Sequence, residues 1–523
     1  MAATTGRREH GGGMATRFTA AFGALLLAAL ATFASPLAGA GELLAGNPHP
    51  SAGFGDRDVD LPYTGVETPA DGPFSGHLSG ATGLLGNMLE TYATDPLLRP
   101  VSTLRSLGFL IKNTLADLAT QALISMVHLP EITKLPIPPL ARGPGMDLEE
   151  WERELDAITN SAPLSGSLEF LIDGDEYFPA LVDSIEQASQ SIHIRTYIFD
   201  NDDFAIQIAD LLRRRSSEVD VKVSMDGIGT LTAELTHSNS MPAAFDPPAS
   251  IAEYLRSGST VNVRTLTNPW FSGDHTKVTI VDREVAFLGG MNIGREYRYD
   301  WHDLMVRLEG AVVEELARES DGAWAKSGML GDLAALFQNF DERKASRKAN
   351  EYPIRVLHTR AQDSQIYEAQ LAAIRRAQRY IYIENPYFSD DAILFELIAA
   401  RRRGVDVRFV IAERGDMELM DMSNAQAINE MLANGIRVYM YPDMTHVKAT
   451  IVDDWLMVGS ANLDKLSLRV NNEINVATSH PQAVHELKRR LFHVDFEKSV
   501  ELTRPLRADL RYQLAETLAD IFM

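Results

Sequence analysis

The chain of 523 residues contains no cysteine, which removes disulfides, thiolate metal sites and cysteine nucleophiles at once. Basic charge is also short: 49 Lys and Arg stand against 72 Asp and Glu, a formal net charge of −23. That balance argues against a protein that grips DNA or RNA by neutralising phosphates, unless it carries a local basic groove. Long apolar runs are scarce, and residues 18–41 are the one charge-free stretch with the length to span a bilayer. Arg7, Arg8 and Arg17 precede that stretch and Ala38-Gly39-Ala40 close it, the layout of a signal peptide spanning residues 1–40. The expectation is export across the cytoplasmic membrane to a periplasmic or secreted location, with an uncleaved membrane anchor as the alternative. Because the segment carries a net +2, its removal takes the charge from −23 to −25.

Residues 41–160 form an N-terminal region of two parts. The first, to about residue 80, is rich in Gly, Pro and Ser and reads as an extended lead-in. Leu104, Leu107, Ile111, Leu115, Leu118 and Ala122 then recur at helical steps, and a second helix is expected over residues 147–159. The main body is an internal duplication. Strand Ser191-Ile-His-Ile-Arg-Thr-Tyr-Ile-Phe199, a helix ending in Arg213-Arg-Arg215 and strand Val219-Asp-Val-Lys-Val223 make one copy. Tyr380-Ile-Tyr-Ile-Glu-Asn-Pro-Tyr-Phe388, a helix ending in Arg401-Arg-Arg403 and Val405-Asp-Val-Arg-Phe-Val410 repeat it. Strand, helix, strand at this spacing is a βαβ unit, so the fold class is α/β. The copies occupy residues 161–340 and 352–500, joined by a charged linker at 341–351, with a C-terminal helix expected over 501–523.

Each copy delivers the same signature, His275-Thr-Lys277 with Asp282 and His446-Val-Lys448 with Asp453. The flanking alternation of apolar residues places each motif on a strand, with His and Lys on one face. Gly289-Gly-Met-Asn292 and Gly459-Ser-Ala-Asn462 follow as small-residue turns able to approach an anion. Eleven residues beyond each Asn a carboxylate recurs, Asp303 in the first copy and Glu473 in the second. An imidazole acting as nucleophile or acid needs its second nitrogen held by an acceptor. Asp303 is therefore expected to orient His275, and Glu473 to orient His446.

With these motifs the chain resembles the phospholipase D superfamily, whose hallmark is a pair of HKD motifs, and within it the bacterial cardiolipin synthase branch. The likeness extends over about residues 168–496 and includes Leu171-Ile-Asp-Gly174, Tyr382-Ile-Glu-Asn-Pro-Tyr-Phe388, Gly289-Gly-Met-Asn-Ile-Gly294 and Gly459-Ser-Ala-Asn-Leu-Asp464. It implies two tandem α/β/α lobes about a pseudo-twofold axis, behind the N-terminal helical extension. It further implies cofactor-free and metal-free phosphodiester cleavage, in which one His attacks phosphorus and the other serves the leaving and entering alcohols. Lys277 and Lys448, with Asn292, Asn462 and Ser460, would stabilise phosphate charge, and Asp282 and Asp453 would support the strands. The substrate would be a phospholipid at a membrane surface, with water or an alcohol as acceptor. A nuclease or other non-lipid phosphodiesterase is the first rival, which the acidic charge disfavours, and a non-catalytic lipid-binding protein the second.

The resemblance is incomplete where Thr276 replaces a customary Arg and Lys465-Leu466-Ser467 a customary Arg-Ser pair. The first copy also carries a longer interval before its motif, and the extra residues fall at about 236–250, a proline-marked loop. His193 and His302 read as packed residues. A divalent ion among His275, Asp303, His446 and Glu473 is disfavoured because both lysines would repel it. Trp270, Phe271, Tyr387 and Phe388 suit either an acyl groove or the core.

Overall fold

The computed structural model describes residues 132–266, 273–328, 351–360, 363–416 and 418–506, with Leu104, Gly108, Gly331 and Leu333 as isolated positions. The expected signal peptide and lead-in, the first amphipathic helix apart from Leu104 and Gly108, and the linker apart from Glu351 lie outside the described residues. So do Trp270, Phe271 and residues 507–523 of the expected C-terminal helix. No helix among the described residues is long and apolar enough to cross a membrane.

Helix α1 (Leu148–Thr159) begins where the Asp147 carboxylate accepts the N–H groups of Glu149 and Glu150, and it buries Trp151 and Leu155. The first lobe follows as β1 (Leu164–Ile172), α2 (Asp173–Gln187), β2 (Ser191–Thr196), α3 (Asp203–Arg215), β3 (Asp220–Asp226), β4 (Asn262–Leu266), β5 (Val278–Val281), β6 (Val285–Gly289), β7 (Leu304–Gly310) and α4 (Ala311–Lys326). The second repeats the plan with β8 (Tyr352–Arg360), a short β9 (Asp363–Ser364), α5 (Gln365–Arg376), β10 (Tyr380–Glu384), α6 (Asp391–Arg402), β11 (Asp406–Ala412), α7 (Glu418–Ala433) and β12 (Arg437–Tyr441). It closes with β13 (Ala449–Val452), β14 (Trp455–Gly459), β15 (Glu473–Thr478), α8 (His493–Lys498) and β16 (Val500–Glu501). Residues 236–250 form the expected loop, between helices Gly227–Leu235 and Ile251–Arg256.

The lobes share one sheet, in the order β16-β12-β11-β10-β13-β14-β15-β8-β1-β7-β6-β5-β2-β3-β4, with β9 beside β8. The two halves join where β1 runs antiparallel to β8, Leu164 opposite Ile354 and Gly166 opposite Tyr352. Outward from that junction the order repeats in both directions, as a pseudo-twofold axis requires. The inner strand of each βαβ unit turns one face, Ile192 and Ile194 or Ile381 and Ile383, into the hydrophobic core of its own lobe, while the alternate positions His193 and Arg195 or Tyr380 and Tyr382 lie on the opposite face. A third hydrophobic cluster belongs to both halves: Val278, Ile280 and Leu304 of one pack in the same core as Val447, Ile451 and Ile474 of the other.

The first strands are shorter than the sequence predicts. Residues beyond Thr196 and Glu384 leave the ladder, and Phe199 and Phe388 instead form single bridges to Ile293 and Leu463. The His-x-Lys segments also precede their strands rather than lying within them, for a reason that appears at the site.

Candidate active site

The residues just before β5 and β13 pair across the molecule, not within their own lobe. His275 N donates to the Asn472 carbonyl at 3.0 Å and Asn472 N to the Gly273 carbonyl at 2.9 Å. Symmetrically, His446 N donates to the His302 carbonyl at 2.7 Å and His302 N to the Met444 carbonyl at 2.9 Å. Each motif is thus stitched to the segment that enters the last strand of the opposite lobe. Those segments carry Glu473 and Asp303.

The carboxylate partners consequently cross. His275 Nδ1 lies 2.8 Å from Glu473 Oε1, and His446 Nδ1 lies 2.8 Å from Asp303 Oδ2. This corrects the expectation that each histidine is oriented by the carboxylate of its own copy. The sequence could not distinguish the two pairings, because the register of eleven residues is the same in both copies. Both carboxylates are fully buried. Each holds the proton on Nδ1 of its histidine, which leaves Nε2 as the reactive nitrogen.

The supports beneath the two pairs differ. Glu473 Oε2 accepts the Ser460 hydroxyl at 2.5 Å. Asp303 Oδ1 accepts Leu304 N at 2.7 Å, and Gly290 stands at the position equivalent to Ser460. A Cβ at Gly290 would fall 2.1 Å from Asp303 Oδ1, so the approach of that carboxylate requires glycine. Ser460 is corrected from a phosphate donor to a support of Glu473. Asn292 is likewise engaged: its Oδ1 accepts Ile198 N at 3.0 Å, and its Nδ2 donates to the Tyr297 hydroxyl at 2.7 Å. Asn462 is buried, and its Oδ1 has no hydrogen-bond partner.

Lys277 and Lys448 are buried to 2% and 3% exposure, each donating from Nζ to the carbonyl of its motif histidine, at 2.8 and 2.7 Å. Burial pushes their pKa values down, to about 7 for Lys277 and about 8 for Lys448, while Glu473 and Asp303 pull the other way. Burial pushes the carboxyls up, to about 7 for Asp303 and about 8 for Glu473, against the attraction of the lysines. Both imidazoles are held well below the ordinary histidine value, first by burial and then by the two lysines. An anionic phosphate between the rings would reverse this by favouring every cationic form. Tyr197 packs edge-on against His275 at 4.9 Å, and Trp301 lies 5.3 Å from His446. Neither aromatic was singled out by sequence, since both sit in segments that read as core.

Asp282 and Asp453 lie away from the histidines, in the turns after β5 and β13, at φ values of 53° and 50°. Asp282 accepts the N–H groups of Ser189, Gln190 and Ser191, while Asp453 accepts those of Met146, Gln378, Arg379 and Tyr380. Both tie the head of the first βαβ strand to the motif hairpin. His193 is packed as expected, edge-on to Trp324 at 5.6 Å. His302 is not merely packed, having Asp173 Oδ1 2.6 Å from its Nδ1 and Glu384 and Asp495 on its other side. Phe388 fills core against Phe409, and the Tyr387 hydroxyl donates to Asp416.

A duplicated α/β fold whose halves each give one His-x-Lys to a shared site defines the phospholipase D class of architecture, and comparison with known proteins narrows it. Residues 181–324 and 371–494 match the family model described as "Cardiolipin synthase, PLD-like domain". The chain belongs to that family. It is 30% identical over 353 residues to cardiolipin synthase 1 of Bacillus cereus, covering 64% of this chain and 67% of that protein. It is 28% identical over 364 residues to cardiolipin synthase of Listeria monocytogenes, covering 65% of this chain and 71% of that protein. Among solved structures, phosphatidylserine synthase of Haemophilus influenzae shares the fold with a TM-score of 0.53 at 15% identity, covering 71% of this chain and 97% of that one.

Proposed function

We propose that the protein is an exported phosphatidyltransferase or phospholipase acting on phospholipids through a covalent phosphohistidine. The observation that carries this reading is the pair of imidazoles, each fixed at Nδ1 by a buried carboxylate of the other lobe and each accompanied by a buried lysine. Relatives named as cardiolipin synthases support a lipid substrate.

In the first step His275 Nε2 forms a bond to phosphorus while the bond to the leaving alcohol breaks. His446 gives its Nε2 proton to that oxygen. In the second step His446 takes the proton of the entering water or alcohol, whose oxygen attacks phosphorus as the P–N bond breaks. Lys277 and Lys448 stabilise charge on the non-bridging oxygens. The lysines supply the charge that a divalent ion supplies elsewhere, so the chemical step itself needs no metal.

The test is incubation of the purified protein with phosphatidylglycerol and phosphatidylethanolamine, with and without glycerol, followed by mass spectrometry. Cardiolipin or a new phosphatidyl alcohol identifies a transferase, and phosphatidic acid alone a hydrolase. Absence of lipid turnover with both histidines intact overturns the lipid reading.

A further inference from the structure

A buried cluster beside the second motif takes no part in the chemistry above. His302 stacks on Tyr441 at 4.8 Å, with Asp173 Oδ1 2.6 Å from its Nδ1. Its Nε2 faces Asp495 Oδ2 at 3.3 Å and Glu384 Oε1 at 3.8 Å, and donor atoms of all three residues lie within 4.8 Å of one another. The three residues are 6%, 1% and 0% exposed, in that order. Glu384 Oε1 accepts the Thr445 hydroxyl at 2.6 Å. Outside the cluster, His302 Nε2, Glu384 Oε2 and both oxygens of Asp495 have no hydrogen-bond partner. Unpaired carboxylate oxygens at this depth are costly unless something else occupies the space between them.

The duplication sharpens the point. The position equivalent to Glu384 in the first copy is Arg195, which donates from Nε and Nη2 to both oxygens of Asp274, at 3.0 and 2.9 Å. Position 384 carries the opposite charge, and Thr445, in the place of Asp274, offers it only a hydroxyl. The first lobe balances its buried charge internally. The second gathers two carboxylates around one imidazole nitrogen.

We propose that His302, Glu384 and Asp495 form a structural site for a divalent first-row transition ion of the zinc or manganese kind, separate from the reaction centre. Imidazole with carboxylate is the donor set such ions take. A tetrahedral ion with bonds of about 2.0–2.2 Å sets its donors roughly 3.3–3.6 Å apart, close to the observed 3.3 and 3.8 Å. Asp173 on Nδ1 and Thr445 on Glu384 occupy the outer positions that orient metal ligands. The ion would fasten α8 and β10 of the second lobe to the segment of the first lobe that presents Asp303.

The test is metal analysis of the full chain, purified from medium containing zinc and manganese. About one ion per chain is expected, falling below roughly a tenth in Glu384→Gln and Asp495→Asn. Asp173→Asn should weaken binding roughly 10–100-fold; at φ 64° the backbone there is one that asparagine accepts, so this variant should fold where others fail. Visible absorption of added Co²⁺ on the wild type, reduced by Asp173→Asn, is a second expected result. A metal-free wild type whose melting temperature zinc and manganese leave unchanged would overturn the site in favour of a shared proton. So would full metal content in Glu384→Gln.

Discussion

The two lobes have the same strand order and the same motifs, yet the polar groups beneath the motifs differ. In the first lobe a buried Arg195–Asp274 pair precedes the histidine, whereas in the second Glu384 and Thr445 occupy the same register. Gly290 lets the shorter Asp303 come close, whereas Ser460 gives a hydroxyl to the longer Glu473. The duplicated backbone fixes where the reacting groups stand, and these unmatched residues are free to make the two halves chemically unequal. Because each histidine depends on the opposite lobe, neither half holds a complete site.

The strongest break in the comparison is at the histidines. His275→Ala and His446→Ala should each lower kcat by at least about 10⁴-fold, since the two act as one unit; appreciable turnover in either would separate them. Next come the crossed carboxylates. Glu473→Gln and Asp303→Asn should fold and lose roughly 10²–10⁴-fold in kcat. In imidazole ¹H–¹⁵N spectra, Glu473→Gln should move the His275 resonances and leave those of His446 in place, and the reverse would restore pairing within each copy. A milder contrast lies underneath. Gly290→Ala forces a Cβ against Asp303 and should cost far more activity than Ser460→Ala, which removes the hydroxyl that donates to Glu473 and accepts from Ile474 N and lowers kcat about tenfold.

The smallest effects concern stability. Asp453→Asn should destabilise by about 1–3 kcal/mol in denaturant unfolding, and more than Asp282→Asn, because Asp453 is buried and also anchors Met146. Burial raises the Asp282 pKa, but the N–H groups of Ser191 and Ser189, the Ser189 hydroxyl and the Gln190 N–H outweigh it and hold the carboxyl below its usual range. Its stabilisation is therefore present above the ordinary carboxylate pKa and lost as pH falls through the depressed one. Unfolding at acid pH should be less pH-dependent in Asp282→Asn than in wild type.

Much of this was legible in the sequence. Apolar strands, helix-ending arginines and the repeated H-x-K-x-x-x-x-D gave the α/β duplication, and the eleven-residue register gave Asp303 and Glu473 as partners of the histidines. Which carboxylate serves which histidine was hidden, because a symmetric spacing fits both pairings and only the cross-lobe hydrogen bonds at Asn472 and His302 choose. The strand assignment of the His-x-Lys segments failed for the same reason: backbone that looks ladder-forming pairs with the other lobe instead. The ion pairs of the packed His302 were hidden because its partners Asp173, Glu384 and Asp495 are remote in sequence. The charge reversal between Arg195 and Glu384 was the available signal.

The most direct test is to quench the protein in alkali during turnover of a short-chain phospholipid and map the adduct by mass spectrometry. A phosphoryl adduct on the peptide of His275, diminished in Glu473→Gln, is the predicted result. Product accumulating with no histidine adduct at any time would contradict the account.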